Sequence, residues 1–385
     1  MAISSTLRHG AGATSSHSDG LRLLVVRTRT TIASAGKRYT VMLHTARWHF
    51  LGLATLLALS APPASLLAQS SANTMHNPYR LLENWPTLPT GVVWGAVIGI
   101  IPDGQGGTWV HHRSEPPIMH FDAGGTVTQS FGEGMFVMAH GFCRDQEGNF
   151  WAGDSGPFRD DPRTEGRGYQ FFKFSPDGEL LLTLGQAGVS RASRETFIAP
   201  TACAVAPNGD ILIADGHFPR PSTAQEDGDR LVRFSPDGTF IDAWGQRGAG
   251  PGEFNGPHAL AFDSQGRLFV ADRSNNRVQI FDENMQIVDE WRHFGRPSGL
   301  AILTDDRLFV ADSESNKAIA GEIRNPGWTN GVRFGSARNG SLNGFIDGTD
   351  PEGLAADELG NVWAGLTSTP VLQKWVLERP LAPDR

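Results

Sequence analysis

The sequence predicts an all-β fold, a six-bladed β-propeller of four-stranded blades, and three observations carry that prediction. A unit of apolar strand, tight turn and second apolar strand recurs six times along the chain. Its copies stand about 40 to 60 residues apart, the span of a four-stranded blade with its loops. The composition, 46 Gly and 24 Pro with 39% hydrophobic and 19% charged residues, supplies turns and a core together. It excludes disorder, coiled coil and helix bundle.

In chain order, residues 1–41 are rich in Ser, Thr and Arg, lack hydrophobic periodicity and read as an upstream extension before a start at Met42. Residues 42–68 carry a basic Arg47, an apolar run from Phe50 to Leu59 and small residues ending near Ala68. That is the layout of a secretory signal peptide, its apolar part too short for a stable membrane span. Residues 69–385 then form one propeller domain, expected to be a soluble, secreted or periplasmic monomer that contacts no membrane once the leader is gone. The formal net charge of the whole chain is −8. Without residues 1–68 there are 26 basic and 40 acidic residues, a charge of −14. Acidity without a run of Lys or Arg excludes an electrostatic nucleic-acid binder.

The blades follow from the repeat. It is clearest in HALAFDSQGRLFVADRSNNRVQIFD (258–282) and recurs at 140–154, 201–215, 298–312 and 352–366, with a degenerate first copy at 96–113. Each copy reads as two strands rich in Val, Phe and Trp, bounded by Gly, Asn and Asp turns. With the turn residue as anchor, the copies sit at Gly107, Gly148, Gly209, Gly266, Asp306 and Gly360. Polar loops at 156–168 and 217–229 absorb the variable spacing between repeats, and the segment 77–95 supplies a strand that ties the first blade to the last.

The register of the repeat points to chemistry. Eight residues before the anchor, the later five blades place His140, Thr201, His258, Ser298 and Glu352 at the starts of the inner strands, around the mouth of the central channel. His140, His258 and Glu352 come from alternate blades, so they can converge on one point. Two imidazoles and a carboxylate form a zinc set with a fourth position open. Six residues after the anchor most blades place Asp, namely Asp154, Asp215, Asp272 and Asp312, read as acceptors for turn N–H groups. Blade 1 puts Arg113 there, after His111 and His112, where a guanidinium could clamp a substrate carboxylate. His217, just beyond Asp215, lies on the same face as a candidate acid or base. Cys143 and Cys203 stand five and six residues before their anchors, so their parity predicts opposite strand faces and no disulfide, although export would permit one.

These repeats resemble NHL repeats, and over most of residues 85–375 the chain is similar to peptidyl-α-hydroxyglycine α-amidating lyases, the lyase half of the peptide-amidating enzymes. AHGFCRDQEGNFW, PHALAFDSQGRLFVADRSNNR and the His112-Arg113 pair carry the likeness. The resemblance implies a catalytic zinc held in the channel through His140 and His258, and Arg113 as the catalytic, carboxylate-binding arginine. The sequence departs from the pattern at two places: Glu352 stands where the family has its third histidine, and His217 where it has a catalytic tyrosine. A channel calcium is a weaker implication, since Gly353 replaces the family's aspartate and Asp350 would have to serve. The implied reaction cleaves a carbinolamide C–N bond in a small-molecule or peptide C-terminal substrate, releasing an amide and glyoxylate. A non-catalytic propeller that binds protein or carbohydrate, and a lactonase-like hydrolase, are the competing expectations.

Overall fold

A computed structural model describes residues 24–34, 37–47, 69, 71–157, 161–217, 228–319 and 321–379. Two units separate in the chain, residues 1–61 and 62–385. In the first, Leu24–Ser34 and Lys37–Arg47 pair as an antiparallel hairpin, Leu24 opposite Arg47 and Ser34 opposite Lys37. The hairpin spans the end of the expected extension and the start of the expected leader. The apolar run of the expected leader lies outside the described residues.

The second unit is the expected propeller: six four-stranded antiparallel sheets. Their inner strands are Val97–Pro102, Ala139–Arg144, Pro200–Val205, Pro257–Phe262, Pro297–Ile302 and Pro351–Ala356, which open blades 1 to 6. Blade 6 takes its outer strand from the other end of the chain, as Tyr79–Leu81 pairs with Val371–Leu377. The core is correspondingly divided into six clusters, each filling the gap between two neighbouring blades. Blade faces bury apolar residues on both sides because each sheet is sandwiched between two others.

The turn between the first two strands of each blade needs one residue in the left-handed region. Gly148, Gly209, Gly266 and Gly360 supply it with φ of 76 to 91°, and Asp306 adopts φ 68° in blade 5. In blade 1 that residue is Gly106, φ 93°, not Gly107. The register of blade 1 therefore moves by one residue, with consequences for the site.

Two expectations need correction. The polar loops 156–168 and 217–229 do not separate repeats; they join the second and third strands within blades 2 and 3. Cys143 and Cys203 are disulfide-bonded, with Cα atoms 5.8 Å apart. Adjacent blades stack face to face, so Cys143 on one face of blade 2 and Cys203 on the other face of blade 3 look into the same gap, beside Trp151 and Ile213.

Candidate functional site

The aspartates that close the second strands are structural, as expected. Asp215 accepts the N–H groups of Ile198 and Ala199, and Asp154 those of Val137, Met138 and Gly156. Asp272 and Asp312 likewise accept from Asn255 and Arg296, ahead of their own inner strands. In blade 1 the corrected register gives this position to His112: Val97 pairs with His112 as Pro257 pairs with Asp272. Its Nδ1 accepts from Gly95 N–H at 3.1 Å while Nε2 faces the Pro116 carbonyl at 2.8 Å. Arg113 is thus the next residue, and the same register holds Arg273 in blade 4, on the opposite side of the ring.

The ring position behaves as the repeat predicted. His140, His258 and Glu352 meet at the channel mouth, and His217 joins them, one candidate ligand atom from each lying within 4.8 Å of the others. Glu352 Oε1 stands 3.0 Å from His258 Nε2 and 3.8 Å from His140 Nε2. The ring of His217 lies 4.7 Å from that of His140 and 5.3 Å from that of His258. All three imidazoles are buried.

The backbone of the next blade orients the two ring-position histidines. His140 Nδ1 donates to the Thr201 carbonyl at 2.5 Å and His258 Nδ1 to the Ser298 carbonyl at 2.7 Å. This fixes the proton on Nδ1 and leaves Nε2 as a lone-pair donor toward the centre. Thr201 and Ser298, read from the sequence as small groups that leave room, turn their hydroxyls to Pro257 O and Ser313 Oγ and so serve through their carbonyls. Among the described residues His140 Nε2 has no hydrogen-bond partner although it is buried. A buried acceptor without a donor is costly unless something fills the gap. Three imidazoles and a carboxylate around such atoms fit a divalent metal ion.

Electrostatics favour the same state. Burial first, then the nearness of His258 and Arg113, disfavours a proton on His140 and pushes it well below its ordinary range. His217 is lowered in the same way by burial, His140 and Arg273, and His258 by burial and Arg273. The imidazoles are therefore neutral, as ligands must be. Burial raises the Glu352 carboxyl, but contact with His258 and the charges of Arg273 and Arg113 outweigh it and hold it well below the usual carboxylate range.

A cleft of about 560 Å³ opens over this cluster, lined by Arg113, His217, Arg273, Glu314 and Glu352, with Val137, Met138 and Pro157 as its apolar side. Arg113 Nε donates to the Ala139 carbonyl at 3.1 Å, and its Nη2 has no hydrogen-bond partner among the described residues. Arg273 is buried, its Nη1 3.4 Å from Glu352 Oε1 and its Nη2 3.3 Å from His217 Nε2. Arg273 and Glu314 were missed in the sequence. With the blade 1 anchor placed at Gly106, an arginine seven residues past the anchor in both blades 1 and 4 would have exposed the pair. Asp350, the compensating residue for a channel calcium, is engaged by Lys317 at 3.0 Å and Ser368 at 2.6 Å instead.

Comparison with known proteins bears on the repeat and the fold. The NHL repeat pattern matches residues 254–281. The chain is homologous to peptidyl-glycine alpha-amidating monooxygenase B of Xenopus laevis, 35% identical over 180 residues that make up 44% of this chain and 18% of that protein. It is 29% identical over 267 residues to peptidyl-alpha-hydroxyglycine alpha-amidating lyase 1 of Drosophila melanogaster, covering 59% of this chain and 45% of the lyase. It is 36% identical over 129 residues to human NHL repeat-containing protein 3, covering 32% of this chain and 33% of that protein. The matched part is thus under half the length of each of these relatives. Among solved structures, a gluconolactonase from Xanthomonas campestris aligns with TM-score 0.53 at 17% identity, over 82% of this chain and 93% of that one. Virginiamycin B lyase of Staphylococcus aureus aligns with TM-score 0.50 at 12% identity, over 78% and 99%. These two likenesses concern the fold alone.

Proposed function

We propose that this chain is an exported, metal-dependent lyase of the amidating type, which cleaves a carbinolamide C–N bond in an α-hydroxyglycine-type substrate. The observation that carries the reading is the buried donor set at the base of the cleft, with the unpartnered Nη2 of Arg113 beside it. His140, His258 and Glu352 would hold the ion, zinc on this donor set, and a bound ion would supply Lewis acidity toward a substrate hydroxyl or carbonyl oxygen. Arg113 binds the substrate carboxylate through Nη2, which has no partner among the described residues. Arg273, from the opposite side of the ring, adds a second positive charge to the cleft lining and helps draw an anion into an acidic protein. His217, neutral and facing the cleft, takes the hydroxyl proton.

The step is redox-neutral. The O–H bond and the C–N bond break, the hydroxyl oxygen becomes the aldehyde oxygen of glyoxylate, and the departing nitrogen keeps the electron pair and receives the proton. The apolar side formed by Val137, Met138 and Pro157 suits the body of a small molecule or a peptide C-terminus. The Cys143–Cys203 bond supports the expectation of a secreted or periplasmic location, where disulfides persist.

Elemental analysis and product release test the reading. Purified protein is expected to carry about one metal ion per chain, and His140→Ala combined with His258→Ala none. Glyoxylate release from an α-hydroxyglycine amide should be abolished in Arg113→Ala with the ion retained. Equal, negligible metal in wild type and double variant would leave a non-catalytic binding propeller. Hydrolysis of a lactone without glyoxylate release would leave the hydrolase.

A further inference from the structure

We propose that Arg296 is a positioning residue of the site: from blade 5 it clamps the 273–275 turn of blade 4 and sets where the Arg273 guanidinium stands between Glu352 and His217. The inference rests on the reading that Arg273 faces a substrate anion, and extends it to a residue outside the cleft lining.

The turn that carries Arg273 is a single 3-10 turn, Arg273–Asn275, ended by Asn276 in the left-handed region at φ 52°. One turn of that kind holds little by itself. Arg296 reaches it three times: Nη1 donates to the Arg273 carbonyl at 2.9 Å and to Asn276 Oδ1 at 3.2 Å, and Nη2 to Ser274 Oγ at 3.3 Å. Its Nε donates to Glu314 Oε2 at 3.1 Å, which supplies the counter-charge a buried guanidinium requires. Arg296 is 2% exposed, so these contacts are made away from water.

The fold does not need a guanidinium there. The backbone task at this position is to donate N–H to the repeat aspartate, and Arg296 N does so to Asp312 Oδ2 at 3.1 Å. Met138 and Ala199 perform it in blades 2 and 3. The residues that precede the inner strands of the other five blades are Ala96, Met138, Ala199, Gly256 and Asp350, none with a planar fork of donors. Blade 5 alone places arginine there, next to blade 4, whose second strand is followed by Arg273 above the donor cluster. A rigid fork can bind the carbonyl, hydroxyl and amide oxygens of the turn at once, whereas a lysine ammonium cannot match that geometry.

The test compares Arg296→Lys with Arg273→Lys in the full chain, read by the ring-nitrogen NMR signals of His217 in histidine-labelled protein, by glyoxylate affinity and by metal content. Both variants are expected to shift the His217 signals in the same direction, to weaken glyoxylate binding by about tenfold and to leave the metal content unchanged. Asn276→Gly keeps the left-handed turn residue but removes one clamp contact, and should give the same shift at smaller size even where Arg296→Lys folds poorly. The proposal is overturned if Arg296→Lys folds and leaves His217 signals at their wild-type positions, or if Asn276→Gly does so where it does not. If wild type binds no glyoxylate, the lyase reading falls, while the His217 signals still decide the role of Arg296.

Discussion

Asp229 shows how a single side chain in this ring responds to its neighbours. Burial raises its carboxyl, Gly256 N–H and Arg247 pull it down, and Asp215 and Asp272 raise it again, for a net value of about 6. Its Oδ2 accepts from Gly256 N–H at 2.7 Å, immediately before the strand that carries His258. A carboxyl raised in the folded state stabilises the fold where it is protonated. That contribution is complete below the unfolded value near 3.8 and is lost as pH rises through about 6. Asp229→Asn keeps the acceptor and removes the charge, so it should stabilise the protein by about 3 kcal/mol at pH 8 and make no difference below pH 4. Denaturant titrations at the two pH values check this, and an equal effect at both would sink it. Legibility at this scale was uneven. His140, His258 and Glu352 were readable because they share one register of a visible repeat. Arg113 was picked for standing in the aspartate position, which His112 in fact occupies. Gly106 and Gly107 are adjacent, and only the backbone shows that Gly106 takes the positive φ of the turn. Arg273 was hidden for the same reason, and Arg296 because nothing in its own blade marks it.

Between elements, the decisive relation is blade against blade, and it is the one the linear repeat expresses least. The Cys143–Cys203 bond joins the inner strands of blades 2 and 3 across a 60-residue separation. Those two strands also carry His140 and the Thr201 carbonyl that receives its proton. Gly141 faces the Ala202 backbone so closely that an added methyl would stand 2.9 Å from its Cα. The gap is therefore held by covalent and steric means together. Replacing both cysteines by serine should cost about 2–4 kcal/mol, the usual worth of closing a loop of that length, seen as a lower urea midpoint. The metal content should be retained, since the donors stand at the strand starts and keep their carbonyl acceptors. Loss of the ion in the double serine variant would mean that the bond, more than the backbone, positions His140. Parity along one strand was legible; that opposite parities face each other across a gap between blades was not, because it is a property of stacking.

The ring as a whole closes by a three-residue strand, and that closure is the feature the sequence indicated most weakly and the structure uses most. Tyr79–Leu81 completes blade 6, so the first and last described parts of the propeller are one sheet. The same segment buries Tyr79 in the gap between blades 5 and 6 and Trp85 in the gap between blades 6 and 1. Trp85 also donates from Nε1 to the Ala123 carbonyl at 3.2 Å, which ties the closing segment to blade 1. Large aromatic groups truncated in such gaps typically cost 3–5 kcal/mol each, and an unclosed sixth blade would add an exposed sheet edge. Residues 69–385 contain every described strand of the six blades, so a chain that begins at Gln69 should melt at the same temperature as the full chain and show the same metal content. A chain that begins at Pro89 lacks Tyr79, Trp85 and the closing strand, and should melt far lower, aggregate through the open edge and lose the ion, because Glu352 opens the inner strand of the blade left incomplete. Calorimetry and metal analysis on the two truncated chains distinguish these outcomes. An unchanged melting temperature in the shorter one would show that the ring is held by packing between blades without its closing strand.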